Sequence, residues 1–221
     1  MNVEQARFNM IEQQIRPWNV LDGQILDLLG TVRREDFVPA AHRALAFSDI
    51  ELPLRGQGDD GQCMLAPRLE ARMLQDLALR PTDRVLEIGT GSGYMAALLA
   101  HRAQRVLTLE IVSELAEMAR ANLQRAGISN VEVRQADGSQ LAAVEGPFDA
   151  IVLSGSVAEV PSALLQQLKV GGRLMAIVGQ APMMRATLVT RSSDAQFQST
   201  QGWDTVAPRL LNFPESARFH F

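Results

Sequence analysis

The chain has 221 residues, of which 47% are apolar and 21% charged, and its net charge is −4; this is the size and balance of one compact α/β domain. The charge offers no basic face for duplex nucleic acid, no apolar run reaches the roughly eighteen residues of a membrane span, and Met1 to Ile15 lacks the apolar stretch and cleavage site of a secretory signal. The single cysteine, Cys63, forbids an intrachain disulfide, and His42, His101 and His220 are scattered without metal-ligand spacing, so a cytoplasmic, metal-free protein, a monomer or small homo-oligomer, is expected.

Residues 3 to 15 place Phe8, Ile11 and Ile15 at helical spacing, and Arg16-Pro17 is expected to end that helix. Asp22 is a good N-cap for a second helix, with Ile25, Leu28, Leu29 and Val32 on one face. Residues 34 to 68 read as irregular, holding Pro39, Pro53 and Pro67 with Gly56, Gly58, Asp59, Asp60 and Gly61. Such a long loop inside a compact domain is often functional. Leu69, Met73, Leu74 and Leu77 mark the next helix.

From residue 84 strands and helices alternate. Arg84 to Ile88 enters a glycine-rich turn, and Ala96 to Leu99 begins an apolar helix. Val106 to Leu109 is a second strand, and Leu115, Ala119, Leu123 and Ala126 form a helical stripe stopped by Gly127. Further strands are expected at Val131 and Val133, at Ala150 to Leu153 and at Arg173 to Val178. Pro161 opens a helix before the last of them. This alternation predicts a Rossmann-like parallel sheet with helices on both faces. Thr187 to Arg191 and Gln196 to Thr200 are more polar and read as an antiparallel pair at the sheet edge. Trp18 and Trp203 read as packing residues.

Chemistry concentrates where the first strand of this series ends. Glu87 is followed by Gly89, Gly91 and Gly93, with Thr90 and Ser92 between them and Tyr94 after. Ligands of open α/β sheets sit beyond the carboxyl ends of the strands, and glycine lets them approach the backbone. A glycine pattern alone is weak, because a tight strand-to-helix turn also needs glycine. The spacing is G-x-G-x-G rather than the G-x-G-x-x-G that seats a pyrophosphate, which disfavours NAD-dependent oxidoreduction. S-adenosylmethionine has no pyrophosphate but carries a charged ammonium, which Glu87 could help hold. Glu110, ending the next strand, could accept both ribose hydroxyls, and Asp137-Gly138 after the third could take the adenine amine. Each alone reads as a solvated strand end or a turn. Together they line one mouth in order.

The chain resembles the protein-L-isoaspartate O-methyltransferase family. The resemblance rests on Arg34-Glu35-Asp36-Phe37-Val38-Pro39, on Asp49 with Leu52-Pro53-Leu54, on Val85 to Tyr94, on Asp137-Gly138, on Pro147 to Val152 and on Gln167-Leu168 with Gly171-Gly172-Arg173. It spans about residues 5 to 180. It implies a Rossmann-like S-adenosylmethionine-dependent methyltransferase with a mainly parallel sheet, antiparallel C-terminal strands and an N-terminal helical extension. It implies S-adenosylmethionine as cofactor, S-adenosylhomocysteine as product, and isoaspartyl carboxylates of damaged proteins as acceptors. The expected cofactor contacts are Met64, Glu87, Gly89, Thr90, Gly91, Ser92, Gly93, Glu110, Ile111, Asp137 and Gly138. Residues 1–80 would supply the N-terminal helices and substrate loop, and residues 81–221 the cofactor-binding core, as one unit.

One stretch departs from the family. Its substrate loop reads roughly G-Q-T-I-S-Q-P, whereas this chain reads Gly61-Gln62-Cys63-Met64-Leu65-Ala66-Pro67. The catalytic-loop positions are therefore Cys63, where the family has Thr, and Leu65, where it has Ser. Esterifying a carboxylate needs no general base, since a group with a pKa of about 4 is already ionised; the loop's task is positioning. Losing its hydroxyls undermines isoaspartate specificity, because a buried carboxylate without a donor is costly. Ser154-Gly155-Ser156 also replaces the family's usual Thr-Ala-Ala. Its serines could serve a ligand, or the segment could be a flexible turn. Three readings stay open: isoaspartyl methylation of a protein or peptide substrate, methylation of another acceptor such as a small molecule, and cofactor binding without catalysis.

Overall fold

Seven strands form the sheet of this protein, seen in a computed structural model that describes residues 2–55, 61–140 and 144–215. A two-residue hairpin precedes them, β1 (Leu52–Pro53) with β2 (Cys63–Met64). The sheet itself comprises β3 (Arg84–Ile88), β4 (Arg105–Glu110), β5 (Val131–Gln135), β6 (Phe148–Val157), β7 (Leu168–Gln180), β8 (Met183–Arg191) and β9 (Phe197–Thr205). Their spatial order is β5-β4-β3-β6-β7-β8-β9. The first five run parallel, and β8 and β9 add antiparallel. The expected parallel core and antiparallel edge pair are both present. β8 and β9 are longer than their polar patches suggested, because β7 runs past Val178 and pairs through Gln180 with Met183.

The helices follow local chemistry. α1 (Val3–Met10) starts at the Asn2 cap. The chain then continues as a π-helical turn, Ile11–Ile15, and a tight turn, Arg16–Trp18, before Asn19 at φ 59° reverses it. Pro17 thus lies inside the final turn rather than ending the helix, since its fixed φ and missing N–H suit a first turn. α2 (Gly23–Thr31) is capped by Asp22, whose side chain accepts from Gln24 N at 2.8 Å. α3 (Pro67–Leu77) has no side-chain cap of its own; Asp49 accepts from the Arg68 N–H at 3.1 Å instead. α4 (Tyr94–Ala100) comes directly after the glycine turn, and α5 (Ser113–Arg125) after β4. α5 ends in a Schellman arrangement: Gly127 N reaches Gln124 O and Ile128 N reaches Leu123 O, both at 3.0 Å, with Gly127 at φ +72°.

The two faces of the sheet are covered unequally. Val85, Val106, Ala150 and Val152 point to the side where α3, α4, α5 and the N-terminal helices pack. Leu86, Ile88, Leu107 and Ile151 point to the other side. There the described cover is the four-residue α6 (Ser162–Leu165) and a C-terminal segment with Leu210 and Phe213. Helices on both faces were expected; on this face a returning tail does much of the covering. Ser154-Gly155-Ser156 lies within β6, not in a turn. The tail docks on it, with Ser156 N donating to Pro208 O at 2.7 Å and Leu210 N to Ser156 O at 2.9 Å.

The two tryptophans differ in outcome. Trp18 is half exposed, with the Arg68 guanidinium 4.6 Å above its ring, so it lies on the surface rather than in the core. Trp203 is partly buried and donates to Asp76 at 2.9 Å, so it packs but is also tied by its indole N–H. The extra acids Asp59 and Asp60, Gly56, Gly58 and the terminal Phe219-His220-Phe221 lie outside the described residues.

Candidate active site

β3 is apolar apart from Arg84 and Glu87, and the chain must reverse immediately after it. Gly89, Gly91 and Gly93 take φ of +94°, +53° and +85°, values that L side chains rarely adopt. Gly89 N donates to Leu109 O at 2.9 Å, and Gly93 N to Thr90 O at 2.9 Å, which pins the turn to β4 and closes it onto α4. Gly89 and Gly155 together leave a notch. A side chain at either would meet Leu210 Cδ2, at 2.9 and 2.8 Å respectively. The tail therefore forms the outer wall of a cleft over the carboxyl ends of the strands.

Three acids surround that turn. Glu110 bridges it to β4, its Oε2 accepting from Gly91 N at 2.8 Å and its Oε1 from Val112 N at 3.0 Å. Asp137 accepts from Ser139 N at 2.9 Å and from Asn212 Nδ2 at 2.8 Å, and these donors hold its carboxyl below the usual range against the opposing effect of burial. Glu87 is wholly buried. Burial raises its pKa to about 7, against the pull of hydrogen bonds from Ser154 Oγ and Thr108 Oγ1, each at 2.7 Å. Thr108 is 2.6 Å from Thr90, so a chain of hydroxyls ties Glu87 to the turn.

Main-cleft lining includes Gly89, Gly91, Glu110, Ile111, Asp137 and Gly138, together with Cys63 and Leu65 from the loop. A small cavity of about 20 Å³ opens off it. The two share Cys63, Leu65, Gly89, Gly91 and Ser154, and the small one adds Met64, Thr90, Ser92, Glu70 and Tyr94. Gly138 packs so closely on Ile88 that any side chain there would collide with it. Every predicted site residue except Glu87 and Gly93 thus lines the cleft or its side cavity. Glu87 lies beneath the turn, and Gly93 packs against Ala119 and Leu123 as the N-cap of α4.

The loop is held from below. Arg34 is fully buried and donates to Ala46 O at 2.8 Å and Leu65 O at 3.1 Å. Phe37 meets the Tyr94 ring at 5.5 Å between centroids. The Arg34-to-Pro39 stretch is thus the underside of the loop. Cys63 bonds to Glu51, whose carboxyl is raised by burial and drawn back by that thiol and by Arg68.

Known proteins resemble this chain in sequence and fold. A family model described as protein-L-isoaspartate(D-aspartate) O-methyltransferase matches residues 5–206. The chain belongs to this family. It is 39% identical over 195 residues to the protein-L-isoaspartate O-methyltransferase of Koribacter versatilis, covering 88% of this chain and 86% of that one. It is 43% identical over 173 residues to that of Methanoculleus marisnigri, covering 78% and 77%. Its fold matches a Plasmodium falciparum protein described as a putative protein-L-isoaspartate O-methyltransferase in complex with S-adenosyl-L-homocysteine. The TM-score is 0.78 over 92% of this chain and 97% of that one; at 20% identity this likeness concerns the fold alone.

Cys63 and Leu65, where the resemblance implies Thr and Ser, line both the cleft and its side cavity. Ser154, one of the two serines that the sequence offered as a ligand contact, does line the cleft. Asn212 and Leu210 were not singled out by the sequence pattern; they reach the cleft from the tail, far along the chain from the glycine turn. Glu70 had a visible signal. It shares the Met73, Leu74 and Leu77 face of α3, so a carboxylate stands on an apolar stripe.

Proposed function

We propose that this protein is an S-adenosylmethionine-dependent O-methyltransferase that esterifies isoaspartyl carboxylates in protein or peptide substrates. Family membership over residues 5–206 carries the reading. The residues fit the cofactor. Glu110 and Asp137 open onto the same cleft as Gly89 and Gly91 of the turn. In this reading Glu110 takes the ribose hydroxyls, Asp137 the adenine amine, and Met64, Ile111 and Gly138 the apolar contacts, with the Gly89-to-Gly93 turn along the amino-acid end.

Bound S-adenosylmethionine supplies an electrophilic methyl group activated by its own sulfonium charge. The chain's residues orient and exclude water. Arg34 fixes the Leu65 carbonyl and hence the loop that faces the acceptor, while Leu210 and the tail form the outer wall of the cleft. No proton need leave the acceptor, because a carboxylate is ionised near neutral pH. In this reading, backbone N–H groups within residues 62 to 65 that β1 does not engage take over from the Thr and Ser hydroxyls that the resemblance implies.

A second reading, the same chemistry on another acceptor, is favoured by one observation: Leu65 makes the acceptor side apolar and the Cys63 thiol is engaged with Glu51. Transfer of a tritiated methyl group from the cofactor to an isoaspartyl peptide tests the first reading. Labelling of other extract components but not of the peptide supports the second, and tight cofactor binding with no acceptor means a non-catalytic binder.

A further inference from the structure

Glu70 sits in the first turn of α3, 4% exposed, and its Oε2 is buried with no hydrogen-bond partner among the described residues. The hydroxyl of Tyr94 is buried and unpartnered among them as well. Both line the 20 Å³ side cavity. A buried polar atom without a partner costs about 1–3 kcal/mol, and more when charged, so two of them beside one cavity mark a place made for a polar guest. The volume suits a single small group. The cavity is walled by Thr90, Gly91 and Ser92 and communicates with the cleft through Gly89 and Gly91. It is therefore the space next to the turn along which the cofactor's amino-acid end would lie.

We propose that Glu70 receives the α-ammonium group of the cofactor's amino-acid end in this side cavity, with the Tyr94 hydroxyl as its neighbour. The inference deepens the reading of the cleft as an S-adenosylmethionine site and rests on it. Glu87, the acid nearest in sequence to the turn, is already committed: its two oxygens accept from Ser154 and Thr108, and it lines neither cavity. Of the two acids with a buried oxygen that has no partner among the described residues, Glu35 and Glu70, it is Glu70 that lines the side cavity. An ammonium brings three donors and the opposite charge, and a buried pair of this kind is stable only when its remaining hydrogen bonds are made.

Protonation gives the inference a readout beyond affinity. Burial pushes Glu70 up to about 8, with Arg34 pulling it down and Glu87 pushing it further up. The groups around it are Arg34 from the 34–36 turn, Glu87 from β3, Tyr94 from α4 and Cys63 from β2, with Arg7 and Glu35 acting on Tyr94 behind them. At pH 7 the free protein thus carries Glu70 mostly protonated. Pairing with an ammonium requires the carboxylate, so binding expels that proton to solvent.

The experiment is calorimetric titration at pH 7 with S-adenosylhomocysteine and with 5′-methylthioadenosine, which keeps adenosine and sulfur but lacks the amino-acid end. Wild type is compared with Glu70→Gln in two buffers of different ionisation enthalpy. The expected result is that Glu70→Gln weakens S-adenosylhomocysteine on the order of tenfold or more and leaves 5′-methylthioadenosine within about twofold. Wild type should also release roughly one proton more per S-adenosylhomocysteine than the variant. Unchanged affinity, equal weakening of both ligands, or equal proton release overturns the role of Glu70. Failure of wild type to bind S-adenosylhomocysteine overturns the cofactor reading itself.

Discussion

Replacing Glu110 by alanine is the perturbation with the most traceable consequences. Its carboxylate accepts from Gly91 N at 2.8 Å and from Val112 N at 3.0 Å, so it tightens the glycine turn before any ligand arrives. Truncation strands two backbone donors at the wall of a cleft that water can reach, which costs about 1–2 kcal/mol rather than the full penalty of dry burial. For a chain of this size that lowers Tm by about 3–6 °C. If the same carboxylate takes both ribose hydroxyls, the bound state loses two charge-assisted hydrogen bonds. At the low end of about 1.5 kcal/mol each, the loss is roughly 3 kcal/mol, or about a hundredfold in Kd. Glu110→Gln keeps one acceptor oxygen and should lose about tenfold. Calorimetry with S-adenosylhomocysteine and with adenosine measures both, and adenosine must weaken in parallel because it carries the ribose. Unchanged affinity in Glu110→Ala at full folding would remove Glu110 from the site.

Three more outcomes are expected. The double substitution Cys63→Thr with Leu65→Ser restores hydroxyls to the loop and should lower KM for an isoaspartyl peptide several-fold at constant cofactor affinity; an unchanged KM means the backbone donors already suffice. Arg34→Met leaves the Ala46 and Leu65 carbonyls without their buried donor and should cost about 2–4 kcal/mol of stability, read as denaturant midpoint; a loss below about 1 kcal/mol contradicts the anchoring role. The third concerns pH. Glu70 titrates near 8 and Glu87 near 7 in the folded chain, against 4.5 unfolded. With folded values raised, the unfolded chain holds fewer protons between those limits, so the stability these two groups contribute to the ligand-free protein is complete below about pH 4.5 and is lost as pH rises, levelling off above about 7 for Glu87 and about 8 for Glu70. The slope is up to about 1.4 kcal/mol per pH unit for each group. Scanning calorimetry across that window should find Glu70→Gln less pH-dependent than wild type; parallel curves would mean Glu70 is ionised throughout.

How much of the fold and site was legible in the sequence depended on how local each signal was. The β3 turn was legible because its requirements are met by consecutive residues: a buried strand, then glycines where φ turns positive. The Asp22 cap and the Gly127 stop were legible for the same reason. The π-helical turn at Ile11–Ile15 was not, because no residue within it departs from ordinary helical spacing. Ser154-Gly155-Ser156 could be read either as a ligand contact or as a turn, because Ser and Gly are common in turns; it lies in β6, with Ser154 at the cleft and the tail from Ala207 as a new neighbour to Ser156. Nothing near residue 154 encodes that pairing. Glu70 fell between the two cases. Its place on an apolar stripe was visible, but its meaning depends on what α3 packs against, namely Tyr94 on α4 and the loop that Arg34 holds.

The most direct test of the central claim uses two peptides of identical sequence, one containing an isoaspartyl residue and one the ordinary aspartyl residue, incubated with the wild-type protein and S-adenosylmethionine. The predicted result is one base-labile methyl ester, on the isoaspartyl peptide alone, with S-adenosylhomocysteine formed in equal amount. Esterification of neither peptide by a protein that binds S-adenosylhomocysteine would contradict it.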